Sequence, residues 1–277
     1  MLIGDLIDSF FVWNSRHRSP ATLAFYRTRL RRFCQQYNGR DLATLTPLDV
    51  DEHLAKAGAG MSDSTRHHNA VALERLQKFA VQNRLLDKPV FGILEKPRVG
   101  QRDRVPTADE TAATLSQSSP EFRLIFSALR QCGARPGELC RATIADMDRA
   151  ANAIVLQEHK TARKTGKPRR IPIGRKLGEL LTQAIGELQA GPIFLSPVGK
   201  AWSVPNLSRT YSRLRDLAGL PRDLVLYLAR HECGTKICRE KGIEYARRLL
   251  GHSNISTTQR YMHLDDRELA DAQDLVD

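Results

Sequence analysis

The sequence predicts a mainly α-helical protein of two domains with one small antiparallel β-hairpin. Three observations support this fold class. Apolar residues recur at helical spacing along much of the 277-residue chain. A polar stretch with two prolines and a glycine, residues 95–106, interrupts that pattern. Two short segments on either side of Gly166 are typical of strands. We therefore expect a helical domain at 1–98, a linker at 99–106 and a mixed domain at 107–277.

The first domain is predicted to contain about four helices, with breaks at Asn38-Gly39 and at residues 58–60. Three apolar stripes carry the helical spacing: Leu2, Leu6, Phe10 and Trp13; Leu23, Tyr26, Leu30 and Phe33; Leu73, Leu76 and Phe79. The segment at 27–32 and the residues Arg66 and His67 also place basic groups on helices. Such a run is either a solvated face or a surface for an anionic polymer, and the residues alone leave both open.

The second domain begins at a capping box, in which Thr107 and Glu110 can satisfy each other's backbone N–H groups. A helix at 120–132 should end at Gly133, and Pro136 suits the first position of the next helix. The strands are expected at 153–159 and 168–173. From Val204 onward the pattern is helical again. The final stretch is rich in acidic residues: Asp265, Asp266, Glu268, Asp271, Asp274 and Asp277.

Composition favours an anionic polymer as partner. The formal charge is +12 and the pI is about 9.8, so cations on phosphates would release counterions and gain affinity. Nucleic acid is thus preferred over a membrane, because no apolar run of roughly 18 residues occurs. Acidic residues at Asp5 and Asp8 argue against a signal peptide and predict a cytoplasmic protein. Five cysteines without Cys-x-x-Cys pairs are expected to be reduced and mostly buried.

Four short motifs carry the chemistry. They are Gly-Ala-Arg-Pro-Gly-Glu-Leu at 133–139, Tyr-Leu-Ala-Arg-His at 227–231, Leu-Gly-His at 250–252 and Thr-Thr-Gln-Arg-Tyr at 257–261. Breaking a phosphodiester through a protein nucleophile needs that nucleophile, cations on the non-bridging oxygens and an acid for the leaving oxygen. Arginine suits the second task because its planar fork binds phosphate bidentately and stays charged. Walker, His-Glu-x-x-His and Gly-x-Ser-x-Gly motifs are missing from the sequence, as is a two-metal acidic triplet.

In this order and spacing the motifs resemble the tyrosine recombinases, the phage integrase family, and in particular its Xer-like members. The resemblance implies that Tyr261 is the nucleophile and that Arg135, Arg230 and His252 stabilise the phosphorane charge. It implies that Lys160, at the end of the first predicted strand, protonates the leaving 5′ oxygen, with Lys164 and Lys167 as alternatives. Glu138 would support Arg135. No cofactor, ATP or metal is expected. Further DNA contacts are predicted for the remaining basic residues: Arg66, His67, Arg163, Lys164, Lys167 and Arg169.

One position departs from the family pattern. Tyr227 stands three residues before Arg230, where relatives usually carry histidine. A phenol can donate a hydrogen bond to a phosphate, but it is a poor proton acceptor at neutral pH. We keep Tyr227 among the predicted catalytic residues. His231 is common after the arginine in relatives and is predicted to be structural, although Tyr227 leaves its role open.

The resemblance implies a DNA clamp, with a helical core-binding domain on one side of the duplex and a catalytic domain on the other. The expected function is site-specific recombination through a 3′-phosphotyrosine, by a homo-tetramer in the synapse. The protein would be nucleoid-associated, and an accessory DNA-bending or directionality protein is an expected partner. Two alternatives remain at this stage: a DNA-binding relative that has lost catalysis, and a type IB topoisomerase-like enzyme.

Overall fold

A computed structural model describes residues 1–100, 104–158 and 166–262 of the chain. The chain divides into two compact units, Met1–Gln101 and Arg102–Asp277. Helices dominate both, and the second also holds a small antiparallel sheet, so the predicted fold class is confirmed. Within the described residues, none of the helices combines the length and apolar character needed to cross a membrane.

The first unit is built from four α-helices over residues 1–100: α1 (Ile3–His17), α2 (Pro20–Tyr37), α3 (Pro47–Gly58) and α4 (Asp63–Gln82). Their starts follow from local chemistry. The Ser19 hydroxyl accepts from the Thr22 N–H ahead of Pro20, and Thr46 forms a capping box with Asp49. The predicted stripes supply the core, although Leu2 is exposed because it precedes the first turn of α1. The core residues from those stripes are Leu6, Phe10, Leu30, Phe33, Leu73, Leu76 and Phe79.

The second unit opens with α5 (Ala108–Ser116), α6 (Pro120–Cys132) and α7 (Pro136–Arg141). The predicted capping box is present, with Thr107 and Glu110 bonded in both directions at 3.0 and 3.1 Å. Gly133 ends α6 in the left-handed conformation, at φ +59°. Its carbonyl is thereby turned toward Arg230, whose Nη1 donates to it.

The sheet has the order β1-β2-β3, from β1 (Met147–Asp148), β2 (Ala153–Leu156) and β3 (Arg169–Pro172). The predicted hairpin is confirmed: β2 and β3 are antiparallel, with Ile154 opposite Ile171. Both strands are shorter than expected. The two-residue β1 was missed because so short a strand has no readable period. The expected position of Lys160 at a strand end lies outside the described residues.

Four more α-helices follow up to residue 262: α8 (Arg175–Ile185), α9 (Val204–Leu217), α10 (Leu228–Lys241) and α11 (Ile243–Leu250). Two 3-10 turns, Ile255–Thr257 and Gln259–Tyr261, come after them. Helix α6 is at the centre, packed against both α8 and α10, and α10 packs against α11. This packing brings the ends of α6, α10 and α11 together. All five cysteines are free thiols, as predicted. The acidic stretch from Asp265 lies outside the described residues.

Candidate active site

Arg135 and Glu138 form a unit at the start of α7. The Glu138 carboxylate accepts from the Arg135 backbone N–H at 3.0 Å and from its Nη1 at 2.8 Å. Burial opposes ionisation of Glu138, but the guanidinium groups of Arg169 and Arg135 outweigh it and hold the pKa below its ordinary value. Glu138 is therefore a buried carboxylate that orients Arg135, in the position predicted for a supporting residue.

Arg230 is the most deeply enclosed cation of the site, with 1% of its surface exposed. It lies in the first turn of α10. Its Nη1 donates to the Gly133 carbonyl at 2.6 Å, and its Nη2 donates to the Leu250 carbonyl and to His252 Nε2, both at 2.8 Å. Its Nε is buried without a hydrogen-bond partner in the described part of the chain. The guanidinium is thus held by two distant segments, and its Nε–H makes no hydrogen bond to a described residue.

His252 is neutral and in one tautomer. Arginine has only donors, so Arg230 must donate to Nε2, and the proton of His252 then resides on Nδ1. Nδ1 lies 2.9 Å from the Thr258 hydroxyl, which accepts it. Burial, together with the charge of Arg230, lowers the pKa of His252 to about 3. In this state both ring nitrogens are engaged by protein groups, so His252 fixes the guanidinium plane of Arg230.

Tyr261 is buried in the same pocket, with 3% of its surface exposed. Its ring stacks on His252, with 6.0 Å between centroids and 10° between planes. Gly234 of α10 forms the floor: a Cβ there would lie 3.0 Å from two ring carbons of Tyr261. Burial raises the pKa of the Tyr261 phenol, although the Arg230 guanidinium opposes the shift. The structure therefore brings the predicted nucleophile together with His252 and Arg230.

Tyr227 and His231 line the outer side of this pocket. Tyr227 directly precedes α10 and is 41% exposed. Its ring meets the His231 ring edge to face at 5.6 Å, and the His231 ring lies 5.2 Å from that of Tyr261. Sequence reasoning missed that His231 faces Tyr261. The sequence offered one signal: His231 lies four residues after Tyr227, and positions four apart share one face of a helix.

The prediction that Arg169 contacts DNA is wrong. Arg169 is 5% exposed; its Nη1 donates to the Arg170 carbonyl at 2.8 Å and its Nη2 to the Leu249 carbonyl at 2.6 Å. Its Nε lies 3.6 Å from a Glu138 oxygen. The reason is strand alternation: Arg169 and Ile171 point inward on β3, whereas Arg170 points outward. Arg169 thus links β3 to the last turn of α11, which directly precedes His252.

The other predicted DNA contacts stay predictions. Lys160, Arg163 and Lys164 lie outside the described residues. Lys167 is exposed in the hairpin. In the first unit, Arg66 is ion-paired with Asp63, and His67 Nδ1 is 3.0 Å from the Pro97 carbonyl. Among the residues placed by the structure, no three His, Cys, Asp or Glu side chains are grouped to hold a metal ion.

A buried tyrosine beside a fixed arginine and a neutral histidine, with a second arginine held by a glutamate, is the arrangement of a phosphoryl-transfer site of the tyrosine recombinase class. Comparison with known proteins agrees. The model of the phage integrase family matches residues 103–268, and that of the phage integrase N-terminal SAM-like domain matches residues 7–84. The chain belongs to the phage integrase family and is a tyrosine site-specific recombinase.

Individual relatives extend the match over nearly the whole chain. Tyrosine recombinase XerC of Chromohalobacter salexigens is 27% identical over 286 aligned residues, which cover 97% of this chain and 94% of the relative. A lambda integrase dimer bound to a COC′ core site superposes with a TM-score of 0.81 at 19% identity, covering 96% of each chain. A lambda integrase tetramer bound to a Holliday junction gives 0.80 at 18% identity, covering 96% of this chain and 80% of that one. At these identities the structural likeness shows the shared fold.

Proposed function

We propose that this recombinase cuts and rejoins duplex DNA at a specific site with Tyr261 as its nucleophile. The Tyr261 oxygen attacks the scissile phosphorus, the 5′ oxygen leaves, and a 3′-phosphotyrosine keeps the energy of the broken bond for rejoining to another strand. The observation that carries this proposal is the enclosure of Tyr261 against His252 and Arg230. The other tyrosine within the four motifs, Tyr227, is 41% exposed, whereas Tyr261 is 3% exposed.

The arginines supply the electrostatic part of the reaction. In the transition state the non-bridging oxygens gain charge, and donors already fixed around them need no reorganisation. Arg230 is fixed by two backbone carbonyls and by His252, and Arg135 is fixed by Glu138. We assign these two guanidiniums to the phosphate. His252 contributes by holding Arg230 in place, which refines the expectation that it stabilises the phosphorane charge itself.

Proton transfer to the leaving oxygen is assigned to Lys160. This part rests on the family resemblance, with Lys164 and Lys167 as the alternatives. Lysine suits the task because its pKa is readily lowered near other cations. Tyr227 is assigned a hydrogen bond to the phosphate, which its exposed phenol at the mouth of the pocket can donate.

DNA is proposed as the partner of both units, and a tetramer on two sites as the working assembly. The net charge of +12 supports the first part, and the lambda integrase tetramer on a Holliday junction supports the second. We also retain the predicted accessory DNA-bending or directionality protein. Recombination of supercoiled substrates by the purified chain, with and without extract from the source cells, tests that partner.

The decisive experiment traps the covalent intermediate. A candidate attachment duplex with a nick just 3′ of the cleavage point loses a short fragment on cutting, so the adduct cannot be reversed. Wild type is expected to give a detergent-resistant protein–DNA adduct, and Tyr261→Phe to give none while binding DNA equally well. Binding without an adduct in the wild type would instead favour the catalytically inactive alternative. Relaxation of plasmids lacking any specific site would favour the topoisomerase-like one.

A further inference from the structure

The reaction needs a group that accepts the proton of Tyr261. A tyrosine oxygen becomes a strong nucleophile only as its proton leaves. Burial raises the pKa of Tyr261, so at neutral pH the phenol is protonated before attack. A neighbouring base must therefore take the proton as the oxygen–phosphorus bond forms.

His252 is adjacent but lacks a usable lone pair. Its Nε2 accepts from Arg230 and its Nδ1–H is donated to Thr258. Taking the phenolic proton would require breaking the contact that holds Arg230. The stacked arrangement, with 10° between the rings of His252 and Tyr261, also places the two rings face to face and not end to end.

Tyr227 occupies the position where the family usually has histidine, but a phenol is a poor base at neutral pH. It cannot take over the acceptor role. Its position does indicate the face of α10 on which a group that accepts the Tyr261 proton would have to lie.

His231 lies on that face, one helical turn beyond Tyr227. Its ring centroid is 5.2 Å from that of Tyr261 with 52° between the planes, so the two rings lie against each other at an inclined angle. Gly234, the next residue along this face, allows Tyr261 to lie directly against the helix. Imidazole is also the side chain best suited to proton transfer near neutral pH.

We propose that His231 is the general base of strand cleavage in this enzyme, in place of the histidine that Tyr227 replaces. The inference rests on the proposed function. The Tyr261 proton moves to a ring nitrogen of His231 while the Tyr261 oxygen bonds to phosphorus. The bond from phosphorus to the 5′ oxygen breaks, and that oxygen takes its proton from a separate acid, assigned to Lys160. Rejoining reverses each transfer, and His231 returns its proton to the phenol.

The first test measures the single-turnover rate of adduct formation on the nicked duplex with enzyme in excess. His231→Asn keeps a planar polar group but removes the base, and we expect a loss of roughly 100- to 10,000-fold. His17→Asn is the matched control, because His17 stacks on Trp13 in the first unit, and it should retain the wild-type rate. A wild-type rate for His231→Asn overturns the inference.

A second substrate distinguishes a base from an acid. Replacing the leaving 5′ oxygen by sulfur gives a leaving group that needs no protonation. If His231 acts on Tyr261, the defect of His231→Asn persists in full on this substrate. Restoration of the rate by the sulfur would place His231 on the leaving group and would overturn the assignment.

Chemical rescue excludes a merely structural role. His231→Ala leaves a space beside Tyr261, and added imidazole should raise its adduct rate severalfold or more, with no effect on Tyr261→Phe. His231→Gln is a second variant that lacks the base. Thermal unfolding identifies which of the three His231 variants are folded at the assay temperature, and adduct rates are compared among the folded variants. Failure of imidazole to rescue folded His231→Ala counts against the proposal. Absence of any wild-type adduct would overturn the proposed function itself and this inference with it.

Discussion

The two units bury polar side chains in opposite ways. In the first, Asn14 donates to the Phe10 carbonyl at 2.8 Å, His53 Nδ1 is 2.7 Å from the Gln36 oxygen, and Gln77 accepts from a backbone N–H. In the second, Arg169 and Arg230 each retain a buried Nε without a hydrogen bond to any described residue. An unpaired buried donor costs about 1–3 kcal/mol. The buried polar groups named in the first unit thus serve its own structure. In the second, Arg169 faces Glu138 and links β3 to α11, whereas the Nε–H of Arg230 remains available to an anion.

The buried histidines show the same contrast. Burial, with a smaller effect from Arg32, lowers the pKa of His53 to about 4 in a pocket of aromatic rings. Burial and Arg230 lower that of His252 to about 3. Both rings are neutral at pH 7. His53 completes a core, whereas His252 is kept neutral beside a cation so that it can accept a hydrogen bond from it.

Replacing Arg230 should have the largest effect. Lysine at 230 keeps the charge but cannot donate at once to Gly133, Leu250 and His252. Loss of one fixed donor to a developing oxyanion costs about 100- to 1,000-fold, so we expect at least that drop in adduct rate for Arg230→Lys. Arg40→Lys, in the exposed ion pair with Asp49, is the control. If the two variants lowered the rate equally, the contrast between the units would not hold.

Acid should destabilise both units through their histidines. A histidine with a lowered pKa in the folded state binds its proton more readily when unfolded. Its contribution is therefore complete above about pH 6.5 and is lost as the pH falls toward the folded value. Each histidine adds about 1.4 kcal/mol per pH unit to the slope of the unfolding free energy against pH.

The measurement is the free energy of unfolding by urea between about pH 6.5 and 4.5, above the range in which most carboxyl groups titrate. His53→Gln and His252→Gln should each remove one proton from the uptake on unfolding. Each should therefore reduce the slope of the unfolding free energy against pH by about 1.4 kcal/mol per pH unit. A slope that neither substitution changes would show that other groups carry the acid sensitivity.

Gly234→Ala should separate activity from stability. The added methyl group would meet Leu250 and the Tyr261 ring at 3.0 Å, and overpacking of this kind costs about 1–3 kcal/mol. Alanine also favours a helix by about 1 kcal/mol, which offsets part of that cost in overall stability. Displacement of Tyr261 should carry most of the cost, so we expect the adduct rate to fall roughly tenfold, with a smaller change in Tm. Gly39→Ala, which meets no atom within 4 Å, should change neither.

The helix caps should give the smallest and most local effects. Thr46→Ala and Thr107→Ala each remove a capping box, at a cost of about 1 kcal/mol. Hydrogen exchange followed by mass spectrometry should show faster exchange in α3 for Thr46→Ala and in α5 for Thr107→Ala. Neither variant should alter the rate of a chemical step. Faster exchange in both units from one substitution would show that their stabilities are coupled.

Local features were predictable from sequence because they depend on neighbouring residues. The capping box at Thr107, the end of α6 at Gly133 and the start of α7 at Pro136 all appear where expected. The hairpin was found but its length was overestimated, since strand ends depend on pairing across the sheet. The motif order was enough to predict the family, which the comparisons confirm.

What the sequence by itself determined is the set of helices, the hairpin and the identities of the reactive side chains. Only the tertiary structure decided what those side chains contact. Arg169 bonds a carbonyl 80 residues away and Arg230 one that is 97 residues away, and neither partner is readable from a local pattern. The same packing buried Arg169, fixed the tautomer of His252 and turned His231 toward Tyr261. The physical reason is that buried polar groups must find partners wherever the fold supplies them, and those partners come from distant segments.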